Sequence, residues 1–318
     1  MTKLIIQVPC YNEAESLPAT LRDLPRQLPG VSTVEWLVID DGSTDETARV
    51  AIANGVDHVV RHPSNLGLAR AFATGLDQCV RLGADIVVNT DADNQYNALD
   101  IPRLITPILD GTADLVVGER PIASLRHFSF TKRLLQRAGS YVVRLASGTR
   151  VPDAPSGFRA MSRRTAMQLH VLSNHTYTLE TIIQAGQRGL TVASVPIRVN
   201  PSVRPSRLIS STSGYVVKSA LTILRIFLTY RPLLAFAAPG VAALLAGVAL
   251  GARFLIYYAA GQGQGHIQSL ILTAILLVSG GLLIVLGFLA DLISVNRRLL
   301  ERIDLQLHEM TSPVHRDG

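Results

Sequence analysis

The sequence predicts an α/β fold, a mainly parallel sheet covered by helices, followed by a C-terminal hairpin of two transmembrane helices. From Leu4 to about Leu115, short apolar runs alternate with amphipathic stretches, the pattern of βαβ units. Near the other end, Leu233–Ala252 and Ile267–Ala290 are apolar runs interrupted only by Gly, Pro, Ser, Thr and Gln. Each is long enough to cross the hydrocarbon core of a bilayer. A third observation is where the predicted strands stop: they run into clusters of carboxylates and amides.

Five strands are proposed for the first part, Leu4–Val8, Trp36–Ile39, His58–Val60, Asp85–Asn89 and Asp114–Val117. Because Met1 to Pro9 reads directly as a strand, no signal peptide is expected. Ser43 and Glu46 have the spacing of a capping box opening one helix, and Asn54-Gly55 closes it. Gly83 and Gly111 mark two later helix ends. Right-handed crossovers then set the strand exits along one edge of the sheet.

Those exits share a chemistry. Strand one leads into Pro9-Cys10-Tyr11-Asn12-Glu13, strand two into Asp40-Asp41-Gly42-Ser43-Thr44-Asp45, and strand three into Asn65-Leu66-Gly67. Strand four leads into Asp91-Ala92-Asp93-Asn94-Gln95, and strand five into Gly118-Glu119-Arg120. An isolated Asp-Ala-Asp is most simply a helix cap, but four such clusters at equivalent topological points are hard to assign to capping alone. In open α/β sheets the ligand crevice lies outside the strands' carboxyl ends, which puts Asp91, Asp93 and Gln95 there. Hard oxygen donors at such a point suit Mg²⁺ or Mn²⁺ shared with substrate phosphates.

Composition narrows the classes. The chain has 318 residues, 48% of them hydrophobic, a mean hydropathy of +0.29, a net charge of +6 and a pI near 9.6. The basic balance fits nucleic acid, anionic lipid or phosphorylated substrates. Only 5% of residues are aromatic, too few for base-stacking platforms, so no nucleic-acid partner is expected. Cys10 and Cys79 provide neither a disulfide framework nor a metal spacing and read as core filling. Neither a Gly-x-Gly-x-x-Gly after the first strand nor a Gly-x-x-x-x-Gly-Lys-Ser/Thr is present, so a nucleotide would need acidic groups and a metal instead.

The series Val8-Pro9-Cys10-Tyr11-Asn12-Glu13, Asp40 to Asp45, Asn65-Leu66-Gly67 and Asp91 to Gln95 resembles the successive signatures of family 2 glycosyltransferases with the GT-A fold. More narrowly it is similar to the branch holding dolichyl-phosphate mannose synthase and bacterial polyprenyl-phosphate glycosyltransferases. The similarity runs to about Arg207, giving expected domains at 1–207 (GT-A catalytic), 208–231 (amphipathic, juxtamembrane), 232–293 (two spans, about 233–257 and 267–291) and 294–318 (cytoplasmic tail). The resemblance implies a nucleotide site of Pro9, Tyr11, Glu13 and Asp41, with Glu13 and Asp41 facing base or ribose. It implies a metal and diphosphate site of Asp91, Asp93 and Gln95, Asp91 being placed to contact the nucleotide as well.

Pro152-Asp153-Ala154-Pro155-Ser156-Gly157-Phe158-Arg159-Ala160-Met161 reads as a fixed loop and resembles the family's acceptor segment, in which Asp153 is the carboxylate usually cast as general base. A phosphate acceptor is largely ionised near neutral pH, its second pKa being about 6, so little proton removal is required. Asp153 is therefore expected to orient the acceptor or take a residual proton, the alternative being an anchor to its own backbone or to Arg159. Glu180 also matches an acidic family position. Arg120, Arg133, Arg204 and Arg207 are the candidate clamps for donor diphosphate or lipid phosphate, with Arg120 and Arg204 the leading two.

Ser210 to Thr229 has the spacing of a basic amphipathic helix at a bilayer surface, and the tail after Ile303 reads as polar and partly disordered. Lys218, Arg225 and Arg231 precede the first span and Arg297, Arg298 and Arg302 follow the second, whereas Gly261 to His266 carries no Lys or Arg. The positive-inside rule places both termini and the catalytic domain in the cytoplasm. The function expected is inverting, metal-dependent transfer of a hexose from a nucleotide-sugar of GDP-mannose or UDP-glucose type to polyprenyl phosphate, subunit association being left open. A processive polysaccharide synthase would need Gln-x-x-Arg-Trp after the acceptor segment, and the sole tryptophan is Trp36. A family 2 enzyme with another acceptor and a catalytically silent membrane scaffold are the remaining alternatives.

Overall fold

Leu4, Ile5, Ile6 and Val8 are all fully buried, as a strand covered on both faces must be, and they form the centre of β1 (Lys3–Cys10). The computed structural model describes residues 2–121, 139–141, 143–169, 171, 177–201, 221, 224–225, 227–261 and 267–311. In chain order β1 is followed by α1 (Leu17–Asp23), β2 (Thr33–Asp40), α2 (Thr47–Ala53), β3 (His58–Arg61), α3 (Leu68–Arg81) and β4 (Ile86–Asn89). Then come α4 (Ile101–Leu109), β5 (Leu115–Glu119), β6 (Arg159–Ser162), α5 (Arg163–Gln168), α6 (Thr178–Gln187) and β7 (Val192–Pro196). The last two helices are α7 (Pro232–Ala259) and α8 (Ile267–Thr311).

All seven strands join one sheet in the order β3-β2-β1-β4-β6-β5-β7. The pairs β1–β2, β1–β4, β2–β3 and β5–β7 are parallel, whereas β6 runs antiparallel to both neighbours. The five expected strands are present within three residues of their predicted ends, the largest difference being the start of β2 at Thr33 rather than Trp36. The segment Arg159-Ala160-Met161, expected as part of a loop, is instead this antiparallel strand. Its first residue, Arg159, pairs with Asn89 of β4 and Val117 of β5. The loop entering β6 therefore emerges on the edge where the parallel strands finish.

Helices α1, α2 and α4 cover the face that carries Leu4, Ile6, Val8 and Val38. On the other face α3 buries Phe72, Gly75, Leu76 and Cys79, at the spacing of one helical stripe. A Cβ at Gly75 would lie 2.4 Å from Gln7 Oε1 and 2.8 Å from Ile39 Cδ1, so only glycine lets α3 settle so close to the sheet. The capping box expected at Ser43 and Glu46 does not form. Helix α2 begins later, with the Thr47 N–H donating to Asp45 Oδ1 at 3.0 Å, while Ser43 is drawn away to the neighbouring loop.

The chain divides into two compact units, Met1–Leu221 and Thr222–Gly318. The second is built on α7 and α8, whose facing glycines allow backbone contact. A Cβ at Gly240 would lie 2.9 Å from the Gly280 carbonyl oxygen, and one at Gly280 would lie 2.8 Å from that of Gly240. Gly247 meets Leu277 and Gly251 meets Thr273 along the same seam. Such small-residue packing is what holds helices together where lipid removes the hydrophobic drive between them. Only 11% and 17% of the apolar windows of Pro232–Ala259 and Ile267–Asn296 are buried, unlike the core helices of a water-soluble protein. Leu245, Ile256 and Val278 are each more than half exposed. The tail expected to be partly disordered beyond Ile303 is helical as far as Thr311, in keeping with the four leucines and two glutamates, strong helix formers, between Leu299 and Met310.

Candidate active site

The loops leaving β1 and β2 are stitched to each other. Asn12 adopts the left-handed conformation, with φ of 53°. Its N–H donates to Ser43 Oγ at 2.9 Å and its Oδ1 accepts from the Thr44 N–H at 2.8 Å. Further along, the Glu13 N–H donates to Thr47 Oγ1 and the Ala14 N–H to Asp45 Oδ2. Pro9 is buried in β1, Tyr11 is 41% exposed, and the half-buried Glu13 accepts from Ser16 Oγ. Asp41 is buried: its carboxylate meets His62 Nδ1 at 2.7 Å and accepts from the N–H groups of Leu66 and Gly67. This carboxylate thus shapes the Asn65-Leu66-Gly67 turn.

Asp91, Asp93 and Gln95 follow the end of β4 on a loop pinned from two sides. Thr20 of α1 donates to the Ala92 carbonyl at 2.8 Å, and the Asn200 N–H donates to the Gln95 carbonyl at 2.8 Å. Within the loop, Asn94 takes φ of 55°, and the Gln95 N–H donates to Asp93 Oδ1 at 3.1 Å. Burial above all, with the Asp93 charge second, pushes the Asp91 carboxyl up to about 7 against the pull of Arg120 and Arg159. Two carboxylates that resist joint ionisation in a partly buried loop are a donor set a divalent cation would relieve. Among the described residues no three His, Cys, Asp or Glu side chains form a complete cage.

On the adjacent side, Asp153 is 1% exposed and forms a two-pronged pair with Arg120. Arg120 Nε donates to Asp153 Oδ2 at 2.7 Å and Nη2 to Oδ1 at 2.9 Å, while the Arg120 backbone N–H donates to Oδ2 at 3.2 Å. Burial works against the Arg120 charge, but the hydrogen bonds to Asp153 outweigh it and hold the guanidinium above its ordinary pKa. The anticipated anchor for Asp153, Arg159, is used otherwise. Fully buried, Arg159 donates to the carbonyls of Ser156 and Ala154 at 2.8 Å each and to Thr181 Oγ1. Burial lowers its guanidinium to about 10, still charged at neutral pH. It is the post around which the Asp153 loop is wound.

Arg133, Arg204 and Arg207 lie outside the described residues, as does most of the expected amphipathic helix. Glu180 is buried on α6. Sequence reasoning passed over Asn89, Tyr96 and Tyr177, which surround Gly157 of the same loop. Asn89 Nδ2 donates to the Gly157 carbonyl at 2.8 Å and contacts Tyr177 Oη at 3.0 Å, and the Gly157 N–H donates to Tyr96 Oη at 2.9 Å. The available signal was Asn89, an amide ending an otherwise apolar strand.

Known proteins resemble this chain in sequence and in fold. The family model described as "Glycosyl transferase family 2" matches residues 5–169. An undecaprenyl-phosphate mannosyltransferase of Micrococcus luteus is 29% identical, covering 61% of this chain and 82% of that protein. A UDP-N-acetylglucosamine–dolichyl-phosphate N-acetylglucosaminyltransferase of Methanococcus voltae is also 29% identical, covering 60% and 83%. Among solved structures, glucosyl-3-phosphoglycerate synthase of Mycobacterium tuberculosis, in complex with Mn²⁺, UDP and glucosyl-3-phosphoglycerate, is similar with a TM-score of 0.54. It is 25% identical, covering 70% of this chain and 80% of that one.

Proposed function

Because this chain belongs to glycosyltransferase family 2, we propose that it transfers a hexose from a nucleotide-sugar to polyprenyl phosphate at the cytoplasmic face of a membrane. One observation carries the reading: the Asp91–Asp93 loop and the Arg120–Asp153 pair stand side by side at one sheet edge, in a chain that also has two long, little-buried apolar helices. Support for the acceptor comes from relatives named for undecaprenyl and dolichyl phosphate, which differ in the sugar they carry. The acceptor class is thus better supported than the donor, for which GDP-mannose and UDP-glucose types both stand.

Asp91 and Asp93, with Gln95 as a further oxygen donor, would hold Mg²⁺ or Mn²⁺. A cation bound there supplies neutralising charge for the nucleoside diphosphate. The rest falls to the chain. The Tyr11–Glu13 and Asp41 loops receive the nucleotide, and Arg120 presents a fixed positive charge to phosphate oxygens. The acceptor phosphate, already ionised, attacks the anomeric carbon from the face opposite the departing diphosphate, inverting its configuration. Asp153 serves this step by holding Arg120 rather than by taking a proton. The positive-inside pattern supports both termini, and with them this domain, lying in the cytoplasm.

The test uses full-length protein in detergent, a short polyprenyl phosphate, and a panel of radiolabelled nucleotide-sugars. Label from one donor should pass into organic solvent and require a divalent cation. Label that reaches only water-soluble acceptors would overturn the acceptor assignment and favour a family 2 enzyme of another specificity.

A further inference from the structure

Two parts of the site come from distant sequence, and one residue joins them. Gly157 belongs to the loop that carries Asp153, and a Cβ placed on it would sit 3.1 Å from Asp91 Oδ1, 3.3 Å from Oδ2 and 2.9 Å from Tyr177 Oη. The loop backbone therefore lies close against the carboxylate assigned to the donor side, and even a methyl group would be crowded between them. Both polar groups of Gly157 are gripped. Its N–H donates to Tyr96 Oη at 2.9 Å, and its carbonyl accepts from Asn89 Nδ2 at 2.8 Å.

The two gripping residues flank the Asp91–Gln95 loop. Asn89 is the last residue of β4, and Tyr96 follows Gln95 directly. Neither is free to turn. Asn89 is fully buried and its Oδ1 accepts from Gln7 Nε2 at 2.9 Å, which fixes the amide orientation. Tyr96 is 7% exposed, with its ring stacked on Phe158 at a centroid separation of 5.1 Å. Leaving such buried polar groups unpaired is costly, so the bonds are strongly favoured.

We propose that Asn89 and Tyr96 are positioning residues that clamp Gly157 and thereby set the distance between the Asp91–Asp93 loop and the Arg120–Asp153 pair. Asn89 has no exposed surface and Tyr96 little, so both act through the loop they hold. The inference rests on the proposed transfer reaction, in which a phosphate oriented by Arg120 must reach an anomeric carbon held beside Asp91 and Asp93. A small error in that separation weakens attack by the acceptor while leaving the donor bound. The bound donor then waits for water.

Tyr96→Phe tests this, since it keeps the ring against Phe158 and deletes one hydroxyl. The measurements are donor Kd, kcat and KM for polyprenyl phosphate, and the ratio of donor hydrolysis to sugar transfer. Expected is a fall in kcat of about 10- to 100-fold, the range a misplacement near 1 Å produces, with donor Kd unchanged and the hydrolysis ratio raised. Trp36→Phe, which removes the indole bond to the Pro25 carbonyl far from the site, serves as the control for plain destabilisation and should leave the ratio unmoved. Should Tyr96→Phe fail to fold, Gly157→Ala carries the same expectation, because its methyl group would crowd both Tyr177 Oη and the Asp91 carboxylate and shift the loop against them. A ratio and kcat equal to wild type in the variant that folds would overturn the clamp. Failure of the underlying reading looks different: wild-type protein would then pass label to another acceptor, and the clamp would stand or fall by the ratio measured on that acceptor.

Discussion

At the scale of single residues, the Arg120–Asp153 pair makes the sharpest distinction. A general base needs a carboxylate presented to the acceptor, whereas here three hydrogen bonds from one arginine occupy it. Asp153→Asn should therefore destabilise the fold by about 3–5 kcal/mol, the usual result of stripping one partner from a buried pair, with donor affinity preserved. Its transfer rate should fall while the acid limb of the pH–rate profile persists, because that limb belongs to groups other than Asp153. Loss of the limb would restore the general-base assignment. Asp93→Ala should abolish metal-dependent donor binding, read by titration calorimetry, with the circular dichroism spectrum intact. Asp91 and Asp93 were legible in the sequence because an apolar strand stopping at two acids is a local pattern. The pairing of Arg120 with Asp153 was not, since the two lie far apart along the chain and no local periodicity records which strands become neighbours.

Among the elements, the parallel strands were legible from apolar alternation and the helix stops from glycine. Strand β6 was hidden because Arg159 is a charged residue inside a strand, made tolerable only by the carbonyls of Ser156 and Ala154 and by Thr181. Another tertiary contact ties α4 to the chain beyond β7: the Arg198 N–H and guanidinium donate to Asp100, which has no exposed surface. Burial opposes ionisation of Asp100, but the Arg198 bonds prevail and depress its pKa below the usual carboxylate range. A depressed folded pKa contributes stability above the unfolded value and loses it as pH falls through the folded one. Asp100→Asn should thus lower the melting temperature at pH 7, with the gap from wild type closing below about pH 4, near the unfolded carboxylate pKa. In the helical pair, Gly280→Val should loosen the seam against Gly240 by about 1–3 kcal/mol of overpacking, read as a lower melting temperature in detergent.

Across the whole molecule, the proposed topology puts both termini on one side of the membrane and the short linker on the other. In a background with Cys10 and Cys79 replaced by serine, a cysteine at Gly263 should react with an impermeant maleimide added to intact cells, and one at Thr2 should not. The reverse pattern would invert the orientation. A last consequence follows from strands β5 and β6 being antiparallel neighbours, with Arg120 just past the end of one and Asp153 shortly before the start of the other. The end of β5 and the segment entering β6 are thus latched together by that ion pair. Releasing that latch with Arg120→Ala should free two strand ends at once, seen as faster hydrogen exchange at the close of β5 and the opening of β6 while the β1–β2 amides keep their protection.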